Sequence, residues 1–369
     1  MVYTIVLLVL FAISWCAGYI KPGRRRTFMC TFFFLVLALL AGFRYQNEYS
    51  DFLTNYNRII QAADQTWYQA LHYSSSVLHQ IIRKTVGMVF RDPQWYFLLS
   101  SVFIVGMNLK VFKEHAYSLF LCVFLYYVEF GYFSANNVTR QAIAVAICLG
   151  SWRFIVERKQ IRYLIVIALA MLVHSSAIFF LPVYYISEIR LNSRNLRRYA
   201  VVTLAVVLFS PQLTRFLQRF LYSDYSESSY GMTPSNKLRL VIVALCLFII
   251  FVEIYRNEKH GWASGQKNQY QARYYNFILN GTYIYAVCSI LSCFRILLFS
   301  RIGLYYVPCA VLCIDRAVGR TGNPQIRRIA LGGLIAFFIA WFAVMNYLGK
   351  YIPTPYTPFW EFPDRALVR

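Results

Sequence analysis

Apolar runs of about 20 residues, the length a helix needs to cross a bilayer, recur along the whole chain. Short polar stretches, mostly basic, separate them. Such runs bury all their backbone hydrogen bonds only as helices, so the pattern predicts spans at 3–20, 27–42, 93–110, 117–134, 138–155, 162–173, 175–187, 199–218, 237–256, 273–294, 301–317 and 328–348. The expectation is an all-α, polytopic membrane protein with about 12 transmembrane helices, forming a single integral membrane domain over residues 1–369.

Basic clusters at 21–26, 110–113, 157–162, 188–198, 256–273 and 316–328 each lie between two apolar runs. Taken as cytoplasmic, they thread the chain with both termini outside. One continuous helix over 162–187 would carry Arg190, Arg194, Arg197 and Arg198 outside, so a short hairpin with His174 near its tip is preferred. Neither arm is comfortably long enough to span alone, which points to protein or a water-filled cavity around the turn. Two long connections fall outside, 43–92 and 219–236. The first carries two helical patterns, Phe52, Tyr56, Ile59, Ile60 and Ala63, then Leu71, Leu78, Ile81, Ile82 and Val89. These predict amphipathic helices on the outer membrane face, either partly roofing the bundle or simply lying on the surface.

Composition agrees: 59% of residues are hydrophobic, only 14% are charged, and mean hydropathy is +0.48. A formal charge of +22 would point to nucleic acid in a soluble protein, but here the basic residues flank apolar runs, so no nucleic-acid partner is expected. The nine cysteines sit in or beside apolar segments without histidine or carboxylate neighbours and read as packing residues. No disulfide framework, metal site or cofactor is expected. Residues 3–20 lack a preceding basic region and read as a first helix rather than a cleaved leader.

Candidate chemistry collects where polar residues interrupt apolar runs. Arg140 opens the run after Asn136 and Asn137, where a helix N-terminus disfavours a cation unless an anion sits there. It therefore reads either as a phosphate holder or as a headgroup anchor. Arg301 opens a later run in the same way, whereas Arg44 and Arg295 close helices at ends where the dipole favours a cation. His174 is the histidine placed deep among apolar residues; His72 and His79 fall outside, His115 and His260 in cytoplasmic loops. It is either an acid/base group or a neutral ring satisfied at a helix break. Glu129 and Asp51 are candidate arginine partners, and Tyr45, Tyr49 and Tyr56 candidate sugar-stacking rings.

In several elements the chain resembles the EpsG-type branch of the Wzy polysaccharide polymerases. They are Gly42-Phe43-Arg44-Tyr45 with Asp51, Asn137 with Arg140-Gln141, His174-Ser175-Ser176, Arg301-Ile302-Gly303-Leu304-Tyr305-Tyr306, and Pro355-Tyr356. Where many members carry a glycine-rich link to Asp-Tyr, this chain has Tyr45-Gln46-Asn47-Glu48 and then Asp51-Phe52. The resemblance implies a metal-independent glycosyltransferase in the bacterial cytoplasmic membrane, its active site facing the periplasm or outside. Its implied partners are the bilayer, an undecaprenyl diphosphate-linked oligosaccharide and a chain-length regulator. In that reading His174 is the base and Arg140 and Arg301 hold the donor diphosphate. Asn137 and Gln141 orient the group, Arg44 and Arg295 bind the acceptor, and Asp51 and Tyr45 line the substrate path. A transporter or flippase for lipid-linked sugars and a membrane acyltransferase are the competing classes.

Overall fold

The computed structural model describes residues 2–45, 51–72, 76–213, 215, 236–259, 269–294, 298–349 and 356–361, and nearly all of them are helical. The first stretch holds α1 (Val2–Ala17), α2 (Pro22–Gly42), β1 (Arg44–Tyr45), α3 (Asp51–Asp64), α4 (Trp67–His72) and α5 (Val77–Phe90). It continues with α6 (Gln94–His115), α7 (Leu119–Val128), α8 (Tyr132–Asn137), α9 (Thr139–Leu149) and α10 (Trp152–Val156). Then come α11 (Gln160–Val173), a 3-10 turn (Ser175–Phe180), α12 (Val183–Ile186), α13 (Ser193–Leu208), α14 (Arg239–Lys259) and α15 (Gln269–Phe294). The last elements are α16 (Leu298–Gly303), a 3-10 turn (Leu304–Tyr306), α17 (Val307–Gly319), α18 (Pro324–Tyr347) and β2 (Thr357–Pro358).

Six helical stretches among the described residues are long and apolar enough to cross a membrane: Pro22–Gly42, Gln94–His115, Arg239–Lys259, Gln269–Cys293, Phe299–Gly319 and Pro324–Tyr347. Five shorter apolar helices accompany them, and the chain is a multi-pass, all-α membrane protein. Local chemistry sets several boundaries. Pro22 starts α2, where its missing N–H costs nothing. Ser118 caps α7 by accepting from the Leu121 amide at 3.2 Å, and Asn192 caps α13 from Asn195 at 2.8 Å, which is why that helix begins before residue 199. The run expected over 117–134 breaks because Gly131 takes a φ of 103°, a left-handed turn that separates α7 from α8. The run expected over 138–155 divides into α9 and α10.

The chain clusters into two compact units. The first comprises residues 1–150, 168–175 and 328–369. Its interior is aromatic, with Phe33, Tyr96, Phe112, Phe124, Tyr127, Phe130 and Tyr132 fully buried. Where lipid is the solvent, apolar burial alone does not drive helices together, and hydrogen bonds and close packing take over. Accordingly Tyr127 donates to the Tyr3 carbonyl and Tyr132 to the Leu37 carbonyl, each at 2.8 Å, while the Trp341 indole donates to Glu129 at 2.7 Å. Gly42 lets α2 and α6 meet, since a Cβ there would lie 2.6 Å from Leu98 Cδ1 and 2.8 Å from Ser101 Oγ.

The second unit comprises residues 151–167 and 176–327, with Tyr163, Phe180, Tyr275, Phe277 and Tyr305 at its centre. Within it the chain folds back as the charge pattern requires. Tyr163 donates to the Phe180 carbonyl and its ring lies 5.3 Å from that of Tyr184, and Gln160 reaches Tyr185 at 3.0 Å. Residues 160–163 and 180–185 are therefore antiparallel neighbours.

Candidate functional site

Arg140 is the second residue of α9, and the helix has no side-chain cap from Val138 before it. The free amides of that first turn and the guanidinium thus present positive charge together. Thr139, buried, closes the turn by bonding back to the Asn136 carbonyl at 3.4 Å. The amide nitrogen of Asn136 is buried without an acceptor, and Asn136 lines a small cavity with Arg44, Ser101, Ala135 and Thr139. About 20 Å³ there is open to the centre of a water molecule, enough for one.

α11 ends at Val173, and the His174 amide still bonds to Ala170 at 2.9 Å before the backbone tightens into the 3-10 turn. The imidazole is buried. Two residues on, within the second unit, Ser176 shares a hydrogen bond with the Tyr305 hydroxyl at 2.9 Å and Tyr306 donates to the Phe179 carbonyl at 2.6 Å. Ser176 and Phe179 are thereby tied to Tyr305 and Tyr306 within that unit.

Helix α5 turns a polar face inward and an apolar face outward. His79, Arg83, Lys84, Val86 and Gly87 form its buried face, with His79 only 1% and Arg83 5% exposed. The apolar residues Val77, Ile81, Met88, Val89 and Phe90 face outward, Val89 at 65% exposure. That arrangement suits a helix lying against lipid, which keeps its apolar side outside and its polar side for the interior. Gly87 allows the approach to α3, where a Cβ would come within 2.9 Å of the Ile59 carbonyl.

The His79 ring lies 2.7 Å from the hydroxyl of fully buried Tyr96. Burial, then the charges of Arg83, Arg140, His174 and Arg58, hold this imidazole well below its usual pKa and therefore neutral. Arg83 is pushed down to about 10, chiefly by burial, and stays charged at neutral pH. None of the ion pairs among the described residues involves Arg83 or Arg140. The first unit thus holds a basic cluster that joins residues 58, 79, 83, 140 and 174, with His79, Arg83 and His174 buried, Arg140 half-buried and Arg58 exposed at its edge. A cluster of this kind favours an anion with several oxygens.

Arg44 is also buried, and it lies on the edge of a two-stranded ladder. Arg44 pairs antiparallel with Pro358 and Tyr45 with Thr357, and Phe359 donates to the Phe43 carbonyl at 3.0 Å. The Phe43 and Phe359 rings stack 5.6 Å apart. Burial raises the Tyr356 phenol to about 12, with Tyr3 adding to the rise and the nearby Arg44 charge opposing it. Two widely separated stretches, 42–45 and 356–359, therefore form one structural element.

Across residues 27–358 the chain matches the family model described as the EpsG family. The chain belongs to the EpsG family. That family is one of polysaccharide polymerases, which makes a membrane-bound polymerase of glycosyltransferase type the expected activity. No curated protein and no solved structure matches the chain.

In this EpsG-family chain the sequence-derived residues fall into three groups. Arg140 and His174 come together, through His79, in the first unit. Arg44 lies with Asn136 and Thr139 around the small cavity, with Asn137 half-buried and Gln141 fully buried beside them in the chain. Arg301 belongs to the second unit, where it sits in the last turn of the six-residue α16 rather than at its first turn. It is still the third residue of the composite span Phe299–Gly319. Arg295 and the connection 219–235 lie outside the described residues, as do the side chains of Tyr45, Asp51 and His72. His79, expected in an outside loop, is instead as buried as His174, because α5 turns that face inward. His79, Arg83 and Arg58 are the cluster members that sequence reasoning missed. The available signal was the i, i+4 spacing of His79 and Arg83 opposite Ile81 and Val89.

Proposed function

We propose that this EpsG-family chain is a polymerase-type glycosyltransferase acting on the outer face of a bacterial cytoplasmic membrane. It moves a glycan chain from undecaprenyl diphosphate onto the sugar end of another lipid-linked repeat unit. The observation that supports this best is the convergence of Arg140 and His174 on the buried His79 within one basic cluster. Glycosyl transfer from a diphosphate needs cationic donors at the leaving group and a base at the acceptor hydroxyl.

In the transfer step the acceptor hydroxyl oxygen bonds to the anomeric carbon of the donor glycan. The bond from that carbon to the diphosphate oxygen breaks, and undecaprenyl diphosphate leaves with the electron pair. His174 takes the hydroxyl proton. Arg140 and Arg301 hold the donor diphosphate and spread its developing charge, as planar guanidinium groups do bidentately. Asn137 and Gln141 orient those groups or the glycan. Arg44 and Arg295 serve the acceptor's diphosphate, with Tyr45 and Asp51 along the substrate path, and a chain-length regulator completes the system in the membrane.

The test uses purified protein in nanodiscs with its host's lipid-linked repeat unit, and products resolved on a gel. A glycan ladder that disappears in His174→Ala and Arg140→Ala is the expected result. Intact substrate crossing a liposome membrane without any ladder would replace the polymerase with a flippase.

A further inference from the structure

Arg83 and Lys84 are adjacent, both buried, and satisfied very differently. Lys84 donates to the Ala62 carbonyl at 3.1 Å and to the Gln65 carbonyl, and its ammonium lies 5.2 Å from the Trp67 ring centre. It closes the C-terminal end of α3, a complete structural role. Among the described residues, Arg83 donates to Gln80 alone, its Nε has no acceptor, and it takes part in no ion pair. A buried guanidinium left without a counter-charge is destabilising, so its retention in a helix with an otherwise satisfied neighbour calls for a ligand. The charges of Arg58 and Arg140 reach it, and any ligand must be anionic enough to answer all three.

We propose that the inward face of α5 is a diphosphate site in which Arg83 is a direct ligand alongside Arg140, and that its occupant is the diphosphate of a polyprenyl-linked substrate. The proposal deepens the polymerase reading and rests on it for the lipid. α5 suits such a ligand because its two faces differ. The basic face takes the diphosphate, and the exposed face of Val77, Ile81, Met88 and Val89 is compatible with surrounding lipid chains.

Thermal unfolding of the full chain in nanodiscs tests the site, with undecaprenyl diphosphate carrying no sugar as the probe and inorganic pyrophosphate as a second arm. Undecaprenyl diphosphate at about a hundredfold excess over its Kd is expected to raise the wild-type Tm by roughly 3–5 °C. In Arg83→Gln that shift disappears while the ligand-free Tm is unchanged or higher, because an uncompensated charge has gone. Arg83→Lys, which keeps the charge without the fork, binds on the order of tenfold more weakly than wild type. A drop in the ligand-free Tm of Arg83→Gln, or failure of that variant to fold, would assign Arg83 a structural role and overturn the proposal. An unchanged ligand shift in Arg83→Gln would overturn it too, as would a response to pyrophosphate but none to the lipid. None of those results touches chain extension, which is read separately. Loss of the ladder in wild type with the Arg83-dependent shift intact would sink the polymerase reading and leave the diphosphate site standing.

Discussion

His79 and Tyr96 meet at 2.7 Å, one from a helix with its apolar side outward and the other from the buried start of a membrane span. Burial, and then the nearby Arg83, Arg140, His174 and Arg58, keep that imidazole neutral. Unfolded, a histidine titrates near its ordinary value of about 6.5; folded, His79 titrates lower. Between the two values the unfolded chain binds more protons, so stability rises with pH there. The contribution is complete above about pH 6.5 and is lost as pH falls toward the folded value. His79→Gln, which does not titrate, is expected to lose less Tm than wild type between about pH 7.5 and about pH 5. Equal slopes in the two proteins would remove His79 from the acid sensitivity.

A close helix contact gives a second prediction. Adding a Cβ at Gly42 brings it 2.6 Å from Leu98 Cδ1, 2.8 Å from Ser101 Oγ and 3.0 Å from Leu98 Cα. The side-chain ends can yield but the backbone atom cannot without moving α2 from α6. Overpacking of this sort costs about 1–3 kcal/mol, against about 1 kcal/mol regained in helix propensity. Gly42→Ala should therefore lower the Tm and Gly42→Val lower it further. Gly106→Ala, on α6 with its nearest neighbour Phe34 Cε2 at 3.5 Å, should be neutral or stabilising.

The spans were legible because length and hydropathy alone decide whether a helix can cross a bilayer. The hairpin at His174 was legible from the arginines that follow it, and Tyr163 and Phe180 now show its two arms in contact. Helix α5 was legible only from its apolar side, because apolar residues mark the buried side of a helix in water but the exposed side in lipid. Leu78, Ile81 and Val89 marked the outward face, and His79 and Arg83 on the buried one were passed over. The pairing of Arg44 with Pro358 had no signal either, since two-residue strands carry no periodicity and their partners lie at opposite ends of the chain.

In the second unit, Glu253 is almost fully buried and answers two arginines, Arg320 at 2.7 Å and Arg256 at 3.1 Å. Tyr275 also donates to it at 2.8 Å, and Arg320 donates to Asn257 at 3.2 Å. Removing the shared acceptor leaves both cations uncompensated, a loss of about 3–5 kcal/mol for a buried pair. Glu253→Ala should be the most destabilising change here, ahead of Arg256→Ala and Arg320→Ala, whose side chains reach solvent. In Glu253→Ala/Arg320→Ala the loss should be smaller than the sum of the single losses. Additive losses in chemical denaturation would show the network to be independent contacts.

Arg140 and His174 share one cluster, yet the proposed chemistry gives them separable signatures. A base acts on the acceptor proton in the transition state, so His174→Gln should slow chain extension by about 10²- to 10⁴-fold while donor binding stays as it is. A diphosphate ligand acts in both the bound and the transition state. Arg140→Lys keeps the charge at the α9 N-terminus but loses the planar fork, so it should weaken donor binding as well as slow transfer. Single-turnover extension of a lipid-linked donor, with binding measured on the same preparations, separates the two. If His174→Gln instead weakened donor binding and left the single-turnover rate alone, the histidine would belong to the anion site and the base would have to be sought elsewhere.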